Sequence, residues 1–360
     1  MHKYLHPRFY IDWVSFILIV TISIISLFTI LSATQTITIT YSIWLKKQGL
    51  GVAMGIIFYW IFSSFNPHTL LRWGYFAFFG TIALLCFTLI KGSIGMGAQR
   101  WINLIFFKLQ PSELAKPLFP AFFSYYFFTH SPRKKMKDFI FPLIMLGITF
   151  ILVAKQPDLG TALIILFTGL ILFWFAGLPR SFYLGSMTFI LLSAPLLWHC
   201  LKPYQRKRIN SFLSLEDHQH GQYQAEQSKI AIGSGGLLGK GIFHGTQNRL
   251  KFLPENHTDF IFAVICEEVG FMGAILTLFF YFILFFRLYY IINHIEKSHQ
   301  ALLAIGLTLP IILSTIINIS MVLGLLPIVG IPLPFLSYGL NNLLTSFASL
   351  GWIQAIYREH

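Results

Sequence analysis

Charge is scarce in this chain: Asp, Glu, Lys and Arg make up 11% of its 360 residues, where a soluble domain carries about a quarter. That deficit excludes an ordinary water-soluble globule. Acids are the rarer sign, 13 against 26 bases. Cysteine is nearly missing. Cys86, Cys200 and Cys266 stand far apart, without metal or redox spacing, which excludes a disulfide framework. Internal repeats and low-complexity segments are lacking too. The first apolar run, Val14 to Ile30, has no small-x-small cleavage site and is long for a signal peptide, so it reads as a retained anchor. What is present is apolar. Hydrophobic residues make up 56% of the chain, mean hydropathy is +0.69, and many runs reach the ~20 residues that cross a bilayer as a helix.

The expected fold class is an all-α integral membrane protein of about ten transmembrane helices, near 12–33, 48–65, 70–90, 111–129, 138–154, 158–176, 181–200, 258–289, 301–324 and 336–356. They form one polytopic domain, 1–360. Between the seventh and eighth lies a segment rich in charge, Gly and His, about 201–257, expected as a large extracytoplasmic loop. The Arg133-Lys134-Lys135-Met136-Lys137 cluster biases its connection to the inside and puts both termini in the cytoplasm. The net charge of +13 does not point to nucleic acid, because the bases sit in short inter-helix loops without an aromatic-interleaved soluble face. Membrane lipids with anionic or phosphate-bearing headgroups are the expected partners. Successive helices reverse direction, so Glu113, Asp158, Asp259 and the Gly330–Pro334 segment, each two helices apart, fall on one membrane face. That face is the outer one, and a shared face is what a single active site requires.

The Leu253-Pro254-Glu255-Asn256-His257-Thr258-Asp259-Phe260 run carries three titratable groups straight into an apolar helix. A carboxylate at a lipid–water boundary is costly to keep, and partial desolvation would raise the Asp259 pKa toward the range of a general base. A plainer account makes Asp259 a first-turn acid behind a Thr258 cap. Gln110-Pro111-Ser112-Glu113 opens another helix, with Pro and an acid where the helix dipole favours them. Capping does not explain Lys116, three residues on and able to pair with Glu113. Gln156-Pro157-Asp158 repeats the device, and there capping alone would suffice, with Lys155 near enough for a local ion pair. Arg100 suits bidentate phosphate contact, and Trp101 beside it fits an ordinary interfacial aromatic equally well. The basic run Arg206-Lys207-Arg208 in the long loop could hold an anion such as a diphosphate, or simply be solvated. Gly233-Ser234-Gly235-Gly236-Leu237-Leu238-Gly239-Lys240-Gly241 fails as a phosphate loop, because Ser234 and Gly241 stand where a Gly and a Ser or Thr are needed. A hinge or a close backbone approach to a ligand suits it better. Glu267 and Glu268 read as structural. The Pro/Gly-rich stretch from Leu325 to Gly339 survives at membrane depth only if protein or a cavity covers it, and reads as a re-entrant lip.

Taken together these stretches resemble the SEDS family (shape, elongation, division and sporulation), and its RodA branch more than its FtsW branch. The matching pieces are Gly97-Ala98-Gln99-Arg100-Trp101-Ile102, Gln110 to Lys116, Lys155 to Thr161, His244 to Gln247, Leu253 to Ala263 and Pro332 to Gly339, collinear from 97 to 339. The resemblance implies a multi-pass protein of the bacterial cytoplasmic (inner) membrane that polymerises lipid II into β-1,4 glycan on the outer face, for cell elongation and rod shape. It implies release of undecaprenyl diphosphate, and work within the elongation machinery beside a class B penicillin-binding protein, the transpeptidase. Asp259 occupies the position of the family's essential acid. Arg100, Trp101, Gln110, Glu113, Lys116, Asp158, His257 and Ser337 fall in the motifs expected at the same cavity. No cofactor is implied beyond a divalent cation, which could share charge stabilisation with Lys116, Arg100 and the 206–208 cluster. Two departures stand out: Ser320 where the family has Gly in Asn-Ile-Gly-Met, and Leu340-Asn341-Asn342 where it continues Gly-Ser-Ser. A lipid II flippase or a non-enzymatic scaffold for the penicillin-binding protein are the competing functions.

Overall fold

The computed structural model describes residues 11–34, 43–95, 98–104, 107–130, 135–200, 205–206, 210, 212, 220–249, 252–253 and 255–359. Every apolar segment expected to be a helix is one: α1 (Trp13–Thr34), α2 (Ile43–Ser64), α3 (Pro67–Lys91), α4 (Pro111–His130), α5 (Met136–Lys155), α6 (Leu159–Ala176), α7 (Arg180–Cys200), and, after the long connection, α10 (Ile261–Asn293), α11 (Ser298–Val322) and α12 (Leu340–Arg358). By length and apolarity, α1, α3, α5, α6, α10 and α11 qualify as bilayer spans. Ten was the expected count. Of the rest, α4 and α12 carry buried polar residues such as Glu113, Lys116, Asn341, Asn342 and Gln354. Both pack among other helices, so their polar groups meet protein and not lipid.

Two features depart from the expectation. The fold is not wholly α, because β1 (Ser93–Gly95), β2 (Ala98–Asn103) and β3 (Lys108–Leu109) form a small antiparallel sheet in the order β1-β2-β3. Ile102 stands opposite Leu109 and Asn103 opposite Lys108. Strands this short leave no alternating pattern to read. The 201–257 segment is also not all loop: α8 (His220–Gly235) and the one-turn α9 (Thr246–Arg249) lie within it.

Close helix contacts rest on small residues. Helix α2 runs against α12, where a Cβ at Gly351 would strike the Tyr59 carbonyl and one at Gly55 would strike the Phe347 ring. Helix α4 meets α11 where Gly306 faces Pro120. One hydrophobic core joins α1, α2, α10, α11 and α12, and a second fills the space among α3, α4, α5 and α6.

Helix α10 is broken at Gly270 (φ 73°, ψ −163°). A break at membrane depth would orphan backbone groups. Here the 236–241 loop mends it. Lys240 N and Gly241 N donate to the carbonyls of Glu267 and Glu268 (both 3.0 Å), while Phe271 N and Met272 N donate to Gly236 O (2.9 Å) and Leu237 O (3.2 Å). A Cβ at Gly235 or Gly239 would collide with the Cys266 or Glu268 carbonyl. The glycine-rich run therefore makes its close backbone approach to the chain's own helix. Glu267 accepts from Lys240 Nζ (2.7 Å), Thr246 Oγ1 (3.0 Å) and Gln247 N (3.0 Å), which seats the His244-Gly245-Thr246-Gln247 turn beside the break.

The irregular segment between α11 and α12 passes through the interior, with Leu333, Phe335 and Leu336 fully buried. Its carbonyls are met by side chains: Ser26 Oγ donates to Leu336 O (2.6 Å), Gln48 Nε2 to Ser337 O (3.3 Å) and Tyr281 OH to Pro334 O. Irregular backbone is tolerated here because protein satisfies it.

Candidate functional site

The starts of α4, α6, α10 and α12 meet around one cavity of about 660 Å³. Strand β2 supplies Arg100 and Trp101, the start of α4 supplies Gln110 and Glu113, and the start of α6 supplies Asp158 and Thr161. The turn before α10 adds Glu255, Thr258 and Asp259, the irregular segment adds Gly330, Pro332, Tyr338 and Gly339, and the start of α12 adds Leu340, Asn341 and Asn342.

Two of the cavity's carboxylates are held by cations. Glu113, buried in the first turn of α4, accepts two hydrogen bonds from Lys116 Nζ at 2.7 and 2.9 Å. Asn342 Nδ2 approaches the same group at 3.4 Å. Lys116 itself faces a smaller neighbouring cavity, which Asn342 also lines. Asp158 caps α6 by accepting from Thr161 N (3.3 Å). Its other oxygen accepts from Gln110 Nε2 (2.8 Å) and Ser112 Oγ (3.2 Å) and lies 3.8 Å from Arg100 Nη1. Capping is thus one part of what Asp158 does. It also ties β2 and α4 to α6.

Asp259 does not sit in the helix. Helix α10 begins at Ile261 behind Phe260, with no side-chain cap, and Thr258 donates to Glu255 O (3.2 Å) instead of capping. The Asp259 backbone is fixed by its own N–H to Glu255 O (3.1 Å) and by Asn318, whose Nδ2 donates to Asp259 O (2.9 Å) and Ile331 O (2.7 Å). Gly330 passes the carboxylate with bare backbone at φ 72°, and a Cβ there would lie 3.5 Å from Asp259 Oδ2. A carboxylate on a pinned turn facing a cavity can take a proton from a bound hydroxyl. Arg100 brings the opposite charge, and its buried Nε has no hydrogen-bond partner, a donor available to an anion. Among the described residues no group of three His, Cys, Asp or Glu side chains converges to hold a metal ion.

Of the residues expected at the site, Arg100, Trp101, Gln110, Glu113, Asp158 and Asp259 line the one cavity and Lys116 adjoins it through Glu113. Ser337 does not line it. Its hydroxyl accepts from Leu333 N (2.8 Å) and shapes the buried segment. Arg206 turns to the end of α7, donating from Nε to Trp198 O (2.9 Å) and from Nη2 to His199 O (2.5 Å). Lys207 and Arg208 lie outside the described residues. His257 sits beside the cavity against Trp44 and Tyr338. Burial lowers its pKa, only partly opposed by Glu255, so it is no cation at neutral pH. Sequence reasoning did not place Asn341, Asn342 or Tyr338 at the site. Asn341 Nδ2 donates to Lys108 O (2.8 Å), linking α12 to β3. The one signal for the two asparagines was that they depart from the usual Gly-Ser-Ser.

A family model described as cell cycle protein, covering FtsW, RodA and SpoVE, matches residues 9–360. The peptidoglycan glycosyltransferase MrdB of Escherichia coli is 38% identical over 310 residues, 85% of this chain and 83% of that protein. MrdB of Helicobacter pylori is 34% identical over 340 residues, 93% of this chain and 86% of that one. Among solved structures, a chain from work on the structural coordination of polymerization and crosslinking by a peptidoglycan synthase complex superposes with a TM-score of 0.84 at 26% identity, over 97% of this chain and 98% of that chain. The rod shape determining protein RodA of Thermus thermophilus superposes with a TM-score of 0.73 over 97% of both chains; at 24% identity that likeness speaks for the fold.

Proposed function

The chain belongs to the FtsW/RodA/SpoVE family, and from that premise we propose that it is a peptidoglycan glycosyltransferase, polymerising lipid II into β-1,4 glycan with Asp259 as general base. The observation that carries the role of Asp259 is its position, on a turn held by Asn318 and facing a cavity that Arg100, Glu113 and Asp158 also line.

In the reaction the acceptor sugar hydroxyl gives its proton to the Asp259 carboxylate while its oxygen bonds to the anomeric carbon of the donor. The bond from that carbon to the diphosphate oxygen breaks, and its electron pair leaves with undecaprenyl diphosphate, inverting the anomeric centre. A diphosphate needs charge stabilisation more than protonation. Arg100 provides it, with the Asp158 carboxylate fixing where the guanidinium points. Lys116 is held by Glu113 and sets the local field from one turn deeper.

The cavity opens on the outer face of the bacterial cytoplasmic membrane, with both termini in the cytoplasm; the alternation of helices that places all four site segments at one end supports this. The partner is a class B penicillin-binding protein, in keeping with the synthase complex to which the chain is similar. The test is polymerisation of labelled lipid II by purified protein, with and without that partner. Glycan ladders from wild type and none from a folded Asp259→Ala are expected. Ladders of wild-type intensity from Asp259→Ala would remove Asp259 from the chemistry. Movement of lipid II across liposomes with no ladders would favour a transporter.

A further inference from the structure

Three aromatic rings from three separate segments meet at the edge of the reaction cavity. Trp44, the second residue of α2, lies 4.9 Å from the His257 ring at 44° and 5.0 Å from the Tyr338 ring at 85°. His257 and Tyr338 are 5.8 Å apart. Despite two ring neighbours Trp44 is 38% exposed, so part of the indole is presented outward. The cluster is braced by backbone. Tyr338 N donates to His257 O (2.9 Å), and Gln48, one turn along α2 from Trp44, donates to Ser337 O (3.3 Å). It is also continuous with the site: Tyr338 lines the cavity and His257 is two residues from Asp259.

We propose that Trp44, His257 and Tyr338 form a stacking subsite for the sugar rings of the glycan strand next to the point of bond formation. This deepens the glycosyltransferase reading and rests on it. A β-1,4-linked aminosugar has equatorial substituents, so it offers a flat C–H face and a polar rim. The C–H face packs on an aromatic π face, and the phenol and imidazole carry hydrogen-bonding edges for the rim. Burial keeps the His257 imidazole neutral, which suits an uncharged sugar face. An interfacial aromatic belt anchors single rings toward lipid. It does not require three segments to converge, nor one of the rings to line the cavity.

The experiment is calorimetric titration of the purified full chain with chitotetraose as a soluble β-1,4 aminosugar probe, together with the length distribution of glycan made from lipid II. The wild type binds the probe. Trp44→Leu, which keeps apolar bulk without the ring, binds about tenfold more weakly, ~1.4 kcal/mol, and makes shorter strands; Trp44→Phe retains most of both. Asp259→Ala makes no strands yet binds the probe like the wild type, so binding and catalysis fail separately. Binding by a wild-type protein that does not polymerise would keep the subsite and remove the reaction. No binding by the wild type, or wild-type affinity and strand length in Trp44→Leu, would reduce the cluster to a membrane anchor and overturn the proposal.

Discussion

Asn318→Ala is the sharpest perturbation available at this site. The Asn318 amide is fully buried and gives one hydrogen bond to Asp259 O at 2.9 Å and one to Ile331 O at 2.7 Å. It thereby joins the turn that carries Asp259 to the irregular segment that lines the same cavity beside it. Truncation leaves two carbonyls without this donor. A buried polar group left unsatisfied costs about 1–3 kcal/mol, and the Asp259 bond is only partly buried, so ~2–4 kcal/mol is at stake. The Asn318 Oδ1 has no partner of its own, and its removal offsets about 1 kcal/mol. A net loss of ~1–3 kcal/mol remains. Were all of it expressed as misplacement of Asp259 in the transition state, polymerisation would slow by between ~5- and ~160-fold, at tenfold per 1.36 kcal/mol. Initial rates at saturating lipid II, read beside thermal unfolding in the same detergent, measure both quantities. A rate loss larger than the fraction unfolded is the expected result. An unchanged rate in a protein of unchanged stability would show that these bonds position nothing. An unchanged rate with a lowered Tm would confine Asn318 to folding.

Other perturbations follow from the same geometry. Lys116→Met leaves Glu113 as a buried, unpaired carboxylate and should destabilise by about 3–5 kcal/mol, whereas Lys116→Met with Glu113→Gln should recover most of that loss; equal thermal shifts for single and double variants would contradict the pairing. Gly239→Ala places a Cβ against the Glu268 carbonyl at a backbone φ of 78°, so the 236–241 loop should leave the α10 break and expose 220–249 to protease, with wild-type digestion kinetics as the refuting result. For His257, burial lowers the folded pKa below 6.5. Below 6.5 the unfolded chain binds the proton more readily, so the contribution to stability is intact above that pH and is lost as acid titrates through the window down to the folded pKa. His257→Gln should flatten the fall in Tm below about pH 6.5, and an unaltered slope would assign it to other groups.

The clearest limits of the sequence lie in the polar residues that act at a distance. Asp259, Glu113 and Asp158 were legible because each stands at the polar start of an apolar run, where an unneeded charge is costly. The helix alternation could say that they share a face, but not that they line one cavity. Arg100 could be read as a phosphate ligand, but its anchoring on Asp158, 58 residues away, follows from tertiary packing. Ser337 and Arg206 have the right chemistry for a site and were spent on backbone carbonyls and amides nearby. Asn318, Asn341 and Asn342 give no periodic signal, because an amide's value depends on what its two hydrogens reach.

Alone, the sequence determined that this is a multi-pass membrane protein and where its ten helical segments lie to within a few residues, because hydrophobic length is a local property that a bilayer reads directly. Tertiary structure decided the rest. It set the small sheet that presents Arg100, the loop that mends the break at Gly270, and the buried irregular segment whose carbonyls are met by Ser26, Gln48 and Tyr281. The sheet is local, but its strands are too short to show an alternating pattern. The other two depend on hydrogen bonds between residues far apart in the chain, and no local pattern encodes a partner that only folding brings near.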